Sequence, residues 1–357
     1  MPTGFYKLKV AKINQETKDA VSIELMVPPP FRKEFEYKAG QYLTFSIEIN
    51  GEEVRRSYSL CTSPDDSTMA VAVKKVEGGK MSNYLNNELK EGQLIDTMPP
   101  NGNFIYEADS GQNRNLFLFG GGSGVTPVKS ILLSALKNEL GSNITMVYAN
   151  RDQESIIFGQ ELDALAEEYS SRFKLIHSLD NPPANWDGLS GYLNKDVISS
   201  VLNSELGSAQ NDATYYICGP GPMMDVVTAS LADLGIGEEK IITEYFVAKK
   251  SDSSSENKVP SGPPAFGTYD IEVELFGDEE ALTVKESETI LDAAIQADLD
   301  PPYSCQSGVC TTCRAKLLSG NVHMKEREGL TDDEVQAGYI LTCQSHPISE
   351  GVKVRYE

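Results

Sequence analysis

Four of the six cysteines crowd the C-terminal end of the 357-residue chain, and their spacing has a chemical meaning. Cys305, Cys310 and Cys313 follow a C-x4-C-x2-C pattern, and Cys343 comes 30 positions after Cys313. Four thiolates in that order match the ligand set of a [2Fe–2S] cluster, in which two irons bridged by two sulfides each need two more soft ligands. Three ligands on one loop can wrap the cluster, and a fourth from another element closes it. Gly308 lets the loop turn inward, while Ser304, Ser307 and Thr311 can help aim backbone N–H groups at the sulfurs, which tunes the potential. A four-cysteine zinc site is the competing reading, because C-x2-C is also a zinc spacing. Zinc ribbons use two short pairs, however, and Cys343 stands alone. A Rieske centre is disfavoured because neither His323 nor His346 sits in a C-x-H arrangement, and both are expected on the solvated surface.

Two glycine-rich segments could hold phosphate. Gly78-Gly79-Lys80-Met81-Ser82 leads into an expected helix whose first N–H groups and positive dipole end suit an anion. Gly120-Gly121-Gly122-Ser123-Gly124-Val125-Thr126-Pro127 follows an apolar strand and opens a second helix. There glycines let backbone approach a pyrophosphate, Thr126 can cap and Pro127 suits the first turn. It is not the G-x-G-x-x-G fingerprint, and glycine serving only a tight strand–helix turn is the alternative.

The elements that must position these residues follow from periodicity. Residues 1–108 read as strands over 5–13, 20–27, 42–49, 54–60 and 71–76, with a helix starting near Ser82. Asn50-Gly51 between two of the strands is a hairpin signal, and an antiparallel β-barrel with one helix is expected. Residues 109–248 alternate strands (116–119, 144–148, 174–178, 215–218, 241–246) with helices (128–137, 159–168, 222–234), as in an α/β domain with a parallel sheet. Residues 249–266, rich in serine, proline and glycine, read as a linker. Residues 267–357 open on an alternating strand (269–276), continue with a helix (290–297) and end on a strand (352–356). The expected fold is therefore multi-domain.

Charge narrows the function. The formal net charge is −22, which disfavours general affinity for nucleic acid or anionic lipid. Residues 267–357 carry 18 Asp/Glu against 7 Lys/Arg, about half of that excess, so a partner protein with a basic surface is expected. No signal peptide or apolar stretch of membrane-spanning length is visible, and a cytoplasmic chain is expected. Cys61 reads as a small packed residue.

The cysteine loop Tyr303-Ser304-Cys305-Gln306-Ser307-Gly308-Val309-Cys310-Thr311-Thr312-Cys313 resembles that of plant-type ferredoxins, which implies an α+β β-grasp domain over 267–357. Arg56-Ser57-Tyr58-Ser59 resembles the R-x-Y-S flavin motif of the ferredoxin–NADP⁺ reductase superfamily. That likeness implies that Arg56 neutralises the flavin pyrophosphate, Tyr58 stacks on the isoalloxazine and Ser59 bonds near its reactive N5. In such relatives Gly78, Gly79, Lys80, Met81 and Ser82 accompany FAD, not FMN. The loop with Gly122, Ser123, Gly124, Thr126 and Pro127 is similar to the superfamily's G-x-G-x-T-P loop. Cys218-Gly219-Pro220-Gly221-Pro222-Met223 is similar to its C-G-P-x-x-M segment, whose cysteine lies against the nicotinamide. Glu244-Tyr245-Phe246 resembles its terminal E-x-F, which approaches the flavin.

The resemblance thus implies NADH or NADPH, FAD and a [2Fe–2S] cluster as cofactors, with Ser59, Cys218 and Glu244 at the hydride-transfer centre. Asp180, where NADPH users often place a Ser-Arg pair, would repel a 2′-phosphate and suits a ribose hydroxyl; Arg151 is the opposing cation, and the balance leans slightly to NADH. The order of reductase, linker and ferredoxin is like that of the reductase components of phenylacetyl-CoA epoxidase and 3-ketosteroid 9α-hydroxylase. It implies transfer of single electrons to a terminal oxygenase, of aromatic acyl-CoA or ring-hydroxylating type. A general reductase or diaphorase without a dedicated oxygenase, and a zinc-stapled nucleotide-binding module, are the alternatives.

Overall fold

The computed structural model describes residues 4–246 and 267–356. Tyr6–Tyr245 forms one compact body, and the described residues from Phe246 onward belong to a second. The linker expected at 249–266 lies outside the described residues.

The first body begins with β1 (Tyr6–Thr17), β2 (Ala20–Met26), β3 (Tyr42–Ile49), β4 (Glu52–Ser59), β5 (Met69–Lys74), helix α1 (Lys80–Asn87) and β6 (Leu94–Thr97). The strands form an antiparallel sheet in the order β4-β3-β6-β1-β2-β5. Leu60 bridges Val71, which brings the exit of β4 onto β5 and curls the sheet into a barrel. Alternation does the sorting, since Leu8 and Val10 point into the core while Lys7 and Lys9 point out. The β3–β4 turn has Asn50 and Gly51 at φ of 55° and 80°, the left-handed pair that a two-residue hairpin needs. Helix α1 drops Met81 and Leu85 into the barrel core.

The rest of this body alternates β7 (Asn115–Gly121), α2 (Val125–Asn138), β8 (Asn143–Asn150), α3 (Gly159–Glu168), β9 (Phe173–Leu179), β10 (Leu189–Ser190), α4 (Lys195–Glu205), β11 (Ala213–Cys218), α5 (Gly221–Asp233) and β12 (Ile241–Glu244). The sheet is parallel, in the order β10-β9-β8-β7-β11-β12. Chain direction across the sheet reverses between β7 and β11, the place where open α/β sheets bind ligands. Both strands end in the glycine segments singled out above. The last strand stops at Glu244, short of the expected 246.

Helix α2 is buried on nearly all sides, including its polar Lys129, Ser130 and Ser134. Buried polar groups require partners, and at this helix several lie on the barrel side. Glu139, just beyond the helix, is wholly inaccessible and accepts hydrogen bonds from Asp109 N (3.0 Å), Ser142 Oγ (2.7 Å) and Arg114 Nε (3.1 Å). Burial alone would raise its pKa, but these hydrogen bonds, Arg114's foremost, outweigh that and hold it at about 2. Arg114 also lies 4.8 Å from the ring centre of Tyr106.

The second body comprises β13 (Tyr269–Leu275), β14 (Asp278–Val284), α6 (Ile290–Gln296), β15 (Arg314–Ser319), β16 (Val322–Met324), α7 (Asp332–Gln336), β17 (Tyr339–Leu341), β18 (Ser345–Pro347) and β19 (Lys353–Tyr356). Its main sheet is mixed, β14-β13-β19-β15-β17, with β13 and β19 parallel. Helix α6 is started by a capping box between Thr289 and Asp292 and packs Ile290, Ala293 and Ala294 into the core. Among the described residues, no helix is long and apolar enough to cross a membrane.

Candidate redox site

In the first body, residues far apart in sequence converge at the carboxyl end of the parallel sheet. Cys218, the last residue of β11, pairs in register with Gly120 on one side and Glu244 on the other. The Ser59 hydroxyl, at the end of β4, donates to Glu244 Oε2 at 3.3 Å. Ser59, Cys218 and Glu244 are therefore brought together, although 185 positions separate the first from the last. Burial pushes the Glu244 carboxyl up to about 8, with the Ser59 hydrogen bond acting the other way. The Cys218 thiol is fully buried and held well above its ordinary range, first by burial and then by the Glu244 charge. A neutral thiol is a packing and positioning group, not a nucleophile.

The nucleotide loop packs against this same strand end. A Cβ on Gly124 would lie 2.2 Å from Cys218 O, and one on Gly121 would lie 2.6 Å from Pro220 Cδ. Glycine is required there for close approach of two backbone segments. Gly122 takes φ of 52°, beside half-buried Ser123. Thr126 does not cap the helix as expected. It falls inside the first turn with Pro127, and its hydroxyl donates back to Ser123 O at 3.0 Å.

Lys74, at the end of β5, was not singled out by the sequence. Its Nζ lies 3.6 Å from the position a Cβ would take on Gly122. It is a cation at a loop suited to phosphate, and a lone lysine on a barrel strand carries no local signal of that role.

On the barrel side, Tyr58 is half-buried, 5.7 Å from the ring of Phe45, and burial raises its phenol. Ser57 Oγ meets Thr44 Oγ1 at 2.9 Å. Arg56 is exposed, with Nη1 donating to Arg55 O at 2.7 Å. Helix α1 starts after Gly79 with no side-chain cap, so first-turn N–H groups are left for another acceptor. Ser82 Oγ accepts instead from Val76 N, before the helix, at 3.1 Å. Exposed guanidinium, uncapped helix start, glycines and half-buried tyrosine make a donor set that fits a flavin with its pyrophosphate. Within that set, Met81 has its side chain in the barrel core, so only its main chain remains for a ligand.

At the far edge, Asp180 follows β9, half-buried, with its carboxyl raised by burial. Its N–H donates to Asn150 O at 3.0 Å. Arg151 is exposed, and its Nε is engaged by Asp152 at 2.8 Å. Cys61 is buried with Sγ 3.3 Å from Ala70 O, and burial pushes its thiol up to about 12.

In the second body, the four clustered cysteines lie as two neighbouring pairs, Cys305 beside Cys310 and Cys313 beside Cys343. A two-iron cluster takes two thiolates per iron, so this pairing fits it. Among the described residues, no three His, Cys, Asp or Glu side chains gather as one metal ion would need. Ser307 N points at Cys305 Sγ (3.4 Å), and Gly308 takes φ of 80° against Glu326. Thr342 fixes the turn that carries the fourth ligand, donating to Cys313 O at 3.1 Å and accepting from Tyr356 OH at 2.9 Å. His346 is buried, not solvated as expected, because β18 pairs it with His323 on β16.

Residues 7–106 match the oxidoreductase FAD-binding domain, 118–229 the oxidoreductase NAD-binding domain and 273–347 the 2Fe-2S iron–sulfur cluster binding domain. The chain is therefore an oxidoreductase with sites for FAD, a nicotinamide nucleotide and a [2Fe–2S] cluster. It is 34% identical to a subunit of the 1,2-phenylacetyl-CoA epoxidase of Escherichia coli, over 99% of this chain and 98% of that one. It is also 34% identical to the ferredoxin reductase component of 3-ketosteroid-9-alpha-monooxygenase of Rhodococcus rhodochrous, over 98% and 96%. The solved structure of phthalate dioxygenase reductase superposes with a TM-score of 0.59 at 25% identity, over 99% of this chain and 98% of that one. The chain belongs to the family of three-domain flavin and [2Fe–2S] reductases that includes these proteins.

Proposed function

We propose that the chain takes electrons from NADH and hands them one at a time to a terminal oxygenase. The observation that carries the first half is the meeting of Ser59, Glu244 and Cys218 beside the Gly120–Gly124 turn. When bound, FAD takes two electrons as hydride from a nicotinamide and yields them singly, and a [2Fe–2S] cluster carries one at a time. The chain's own residues would bind and orient. Arg56, Lys80 and the first N–H groups of α1 would hold the flavin pyrophosphate, with Gly78, Gly79 and Ser82 shaping its approach and Tyr58 against the ring. Gly122, Ser123, Gly124 and Lys74 would hold the coenzyme phosphates, and Gly219 and Pro220 would shape the pocket beside Cys218. Glu244, neutral at pH 7 by its raised pKa, and Ser59 would hold a proton next to the reacting ring. Cys305, Cys310, Cys313 and Cys343 would ligate the irons.

The NADH preference rests on Asp180 and Arg151. A carboxylate just past β9 repels a 2′-phosphate, and the arginine that could attract one has its Nε engaged by Asp152 and its charge partly offset. The oxygenase acceptor rests on the two relatives above, one named as part of an epoxidase and the other as the ferredoxin reductase component of a monooxygenase. The acidic C-terminal segment also suits a basic partner surface.

The test is the visible spectrum of the anaerobic protein before and after NADH and then NADPH. Flavin bands with cluster shoulders, bleached by NADH at lower concentration than by NADPH, are expected. Bleaching of the flavin while the cluster stays oxidised would refute the electron path.

A further inference from the structure

Lys129 lies in the first body, on α2, two residues beyond the nucleotide loop's Pro127. Only 4% of it is exposed. Its ammonium is divided among three partners from two other parts of the fold. Nζ is 2.8 Å from Glu161 Oε1 and 4.4 Å from the ring centre of Phe158, both belonging to the start of α3. It also donates to Cys61 O at 3.1 Å, and Cys61 is on the barrel, two residues past Ser59. The neighbouring Ser130 Oγ donates to Thr62 O at 2.6 Å. Further along the helix, Lys137 pairs with Asp66 and Asn138 Nδ2 donates to Asp65 Oδ2 at 2.6 Å. Helix α2 is thus fastened along its length to the 61–66 loop. That loop is in turn held to β5, since Cys61 N donates to Ala70 O (2.9 Å) and Ala70 N to Thr62 Oγ1 (3.2 Å).

Three features mark Lys129 as more than a surface cation turned inward. A buried ammonium is stable only when its N–H groups are engaged, and here the partners come from separate elements. Phe158, whose ring faces it, holds a left-handed φ of 60°, a conformation a bulky residue keeps only when its surroundings demand it. The bond to Cys61 O also joins the chain two residues past Ser59 to the helix three residues past Thr126. From Thr126 to Lys129 is about 4.5 Å of helix, and from Ser59, the end of β4, to Cys61 about 6.6 Å of extended chain. One hydrogen bond therefore joins two short, stiff arms, one ending at each half of the redox crevice.

We propose that Lys129 is a positioning residue for hydride transfer, setting the separation between the flavin strand and the nucleotide loop by tying Cys61 to α2 and α3. This rests on the reading of the crevice as the meeting place of nicotinamide and flavin. Reacting atoms must approach within about 3–3.5 Å, and a misplacement of about 1 Å lowers rates by around 100-fold. A tie of this kind acts on the chemical step more than on coenzyme affinity.

The experiment compares holoenzyme with Lys129→Met, which keeps the volume and removes the charge, and Ser130→Ala, which removes the adjacent tie and leaves the lysine. Anaerobic stopped-flow with NADH gives the limiting rate of flavin bleaching, the dissociation constant and the long-wavelength nicotinamide–flavin charge-transfer band. Hydrogen exchange reads the 60–66 amides. Lys129→Met is expected to lower the limiting rate at least tenfold, weaken the band, speed exchange at 60–66 and change the dissociation constant less than about threefold. Ser130→Ala should do the same more weakly. Wild-type bleaching beside variants that keep rate and band, with only a lower melting temperature, overturns the proposal and leaves Lys129 a brace. Wild-type flavin that neither NADH nor NADPH bleaches overturns the parent reading, and this proposal with it.

Discussion

Glu244→Gln should make the protein more stable in alkali while impairing its chemistry. The folded pKa of Glu244 is about 8 against an ordinary value of 4.5. A raised acid means that the folded state keeps a proton the unfolded state has released, so stability falls as pH rises from 4.5 to about 8 and is flat outside that window. At about 1.4 kcal/mol per unit the penalty reaches roughly 5 kcal/mol above pH 8. Glu244 keeps some exposure, and solvent screening leaves about 2 kcal/mol. Glutamine fills the same space without charge and escapes the penalty. For a body of this size 1 kcal/mol moves the melting temperature by about 2–4 °C, so the variant should melt about 4–8 °C above wild type at pH 9 and level with it near pH 4.5. Melting followed by circular dichroism from pH 4.5 to 9 checks this, and nucleotide-driven flavin reduction over the same range should lose an inflection near pH 8. A variant that melts at or below wild type at pH 9 would refute the argument that burial of the charge dominates.

Glu139→Gln has the opposite sign. Its folded pKa is about 2, so its contribution is present above the ordinary 4.5 and lost as pH falls toward 2. Breaking its pair with partly exposed Arg114 should cost about 3 kcal/mol at pH 7, a deficit that melting curves should show closing in acid. Cys343→Ser should abolish the cluster's visible absorption and iron content while flavin absorption persists, because a hard oxygen replaces a soft thiolate. Asp180→Ser removes a charge worth about 1 kcal/mol against a 2′-phosphate, so the NADPH-to-NADH ratio of kcat/KM should rise roughly fivefold in steady-state assays.

Much of this protein is local and was open to reading from sequence alone. The cluster ligands declare themselves because three of four lie within nine residues of one loop, where spacing is geometry. The Asn50-Gly51 hairpin and the strand–helix alternation are set by backbone preference and by which face is apolar, both short-range properties. What the tertiary structure alone decided involves groups that no short window contains. Ser59 reaches Glu244 only because the barrel meets the parallel sheet at its carboxyl end. Lys74 stands by Gly122, and Lys129 by Cys61, for the same reason. His346, expected on the surface, is buried by the pairing of β18 with β16, and Glu139, of which no short window gives a sign, is enclosed by Arg114, the Asp109 N–H and Ser142. Periodicity reports which side of an element is apolar. It does not report which partner a buried polar side chain meets, since that is fixed by packing between elements far apart in the chain, and that meeting sets the pKa values and tolerances on which the redox site depends.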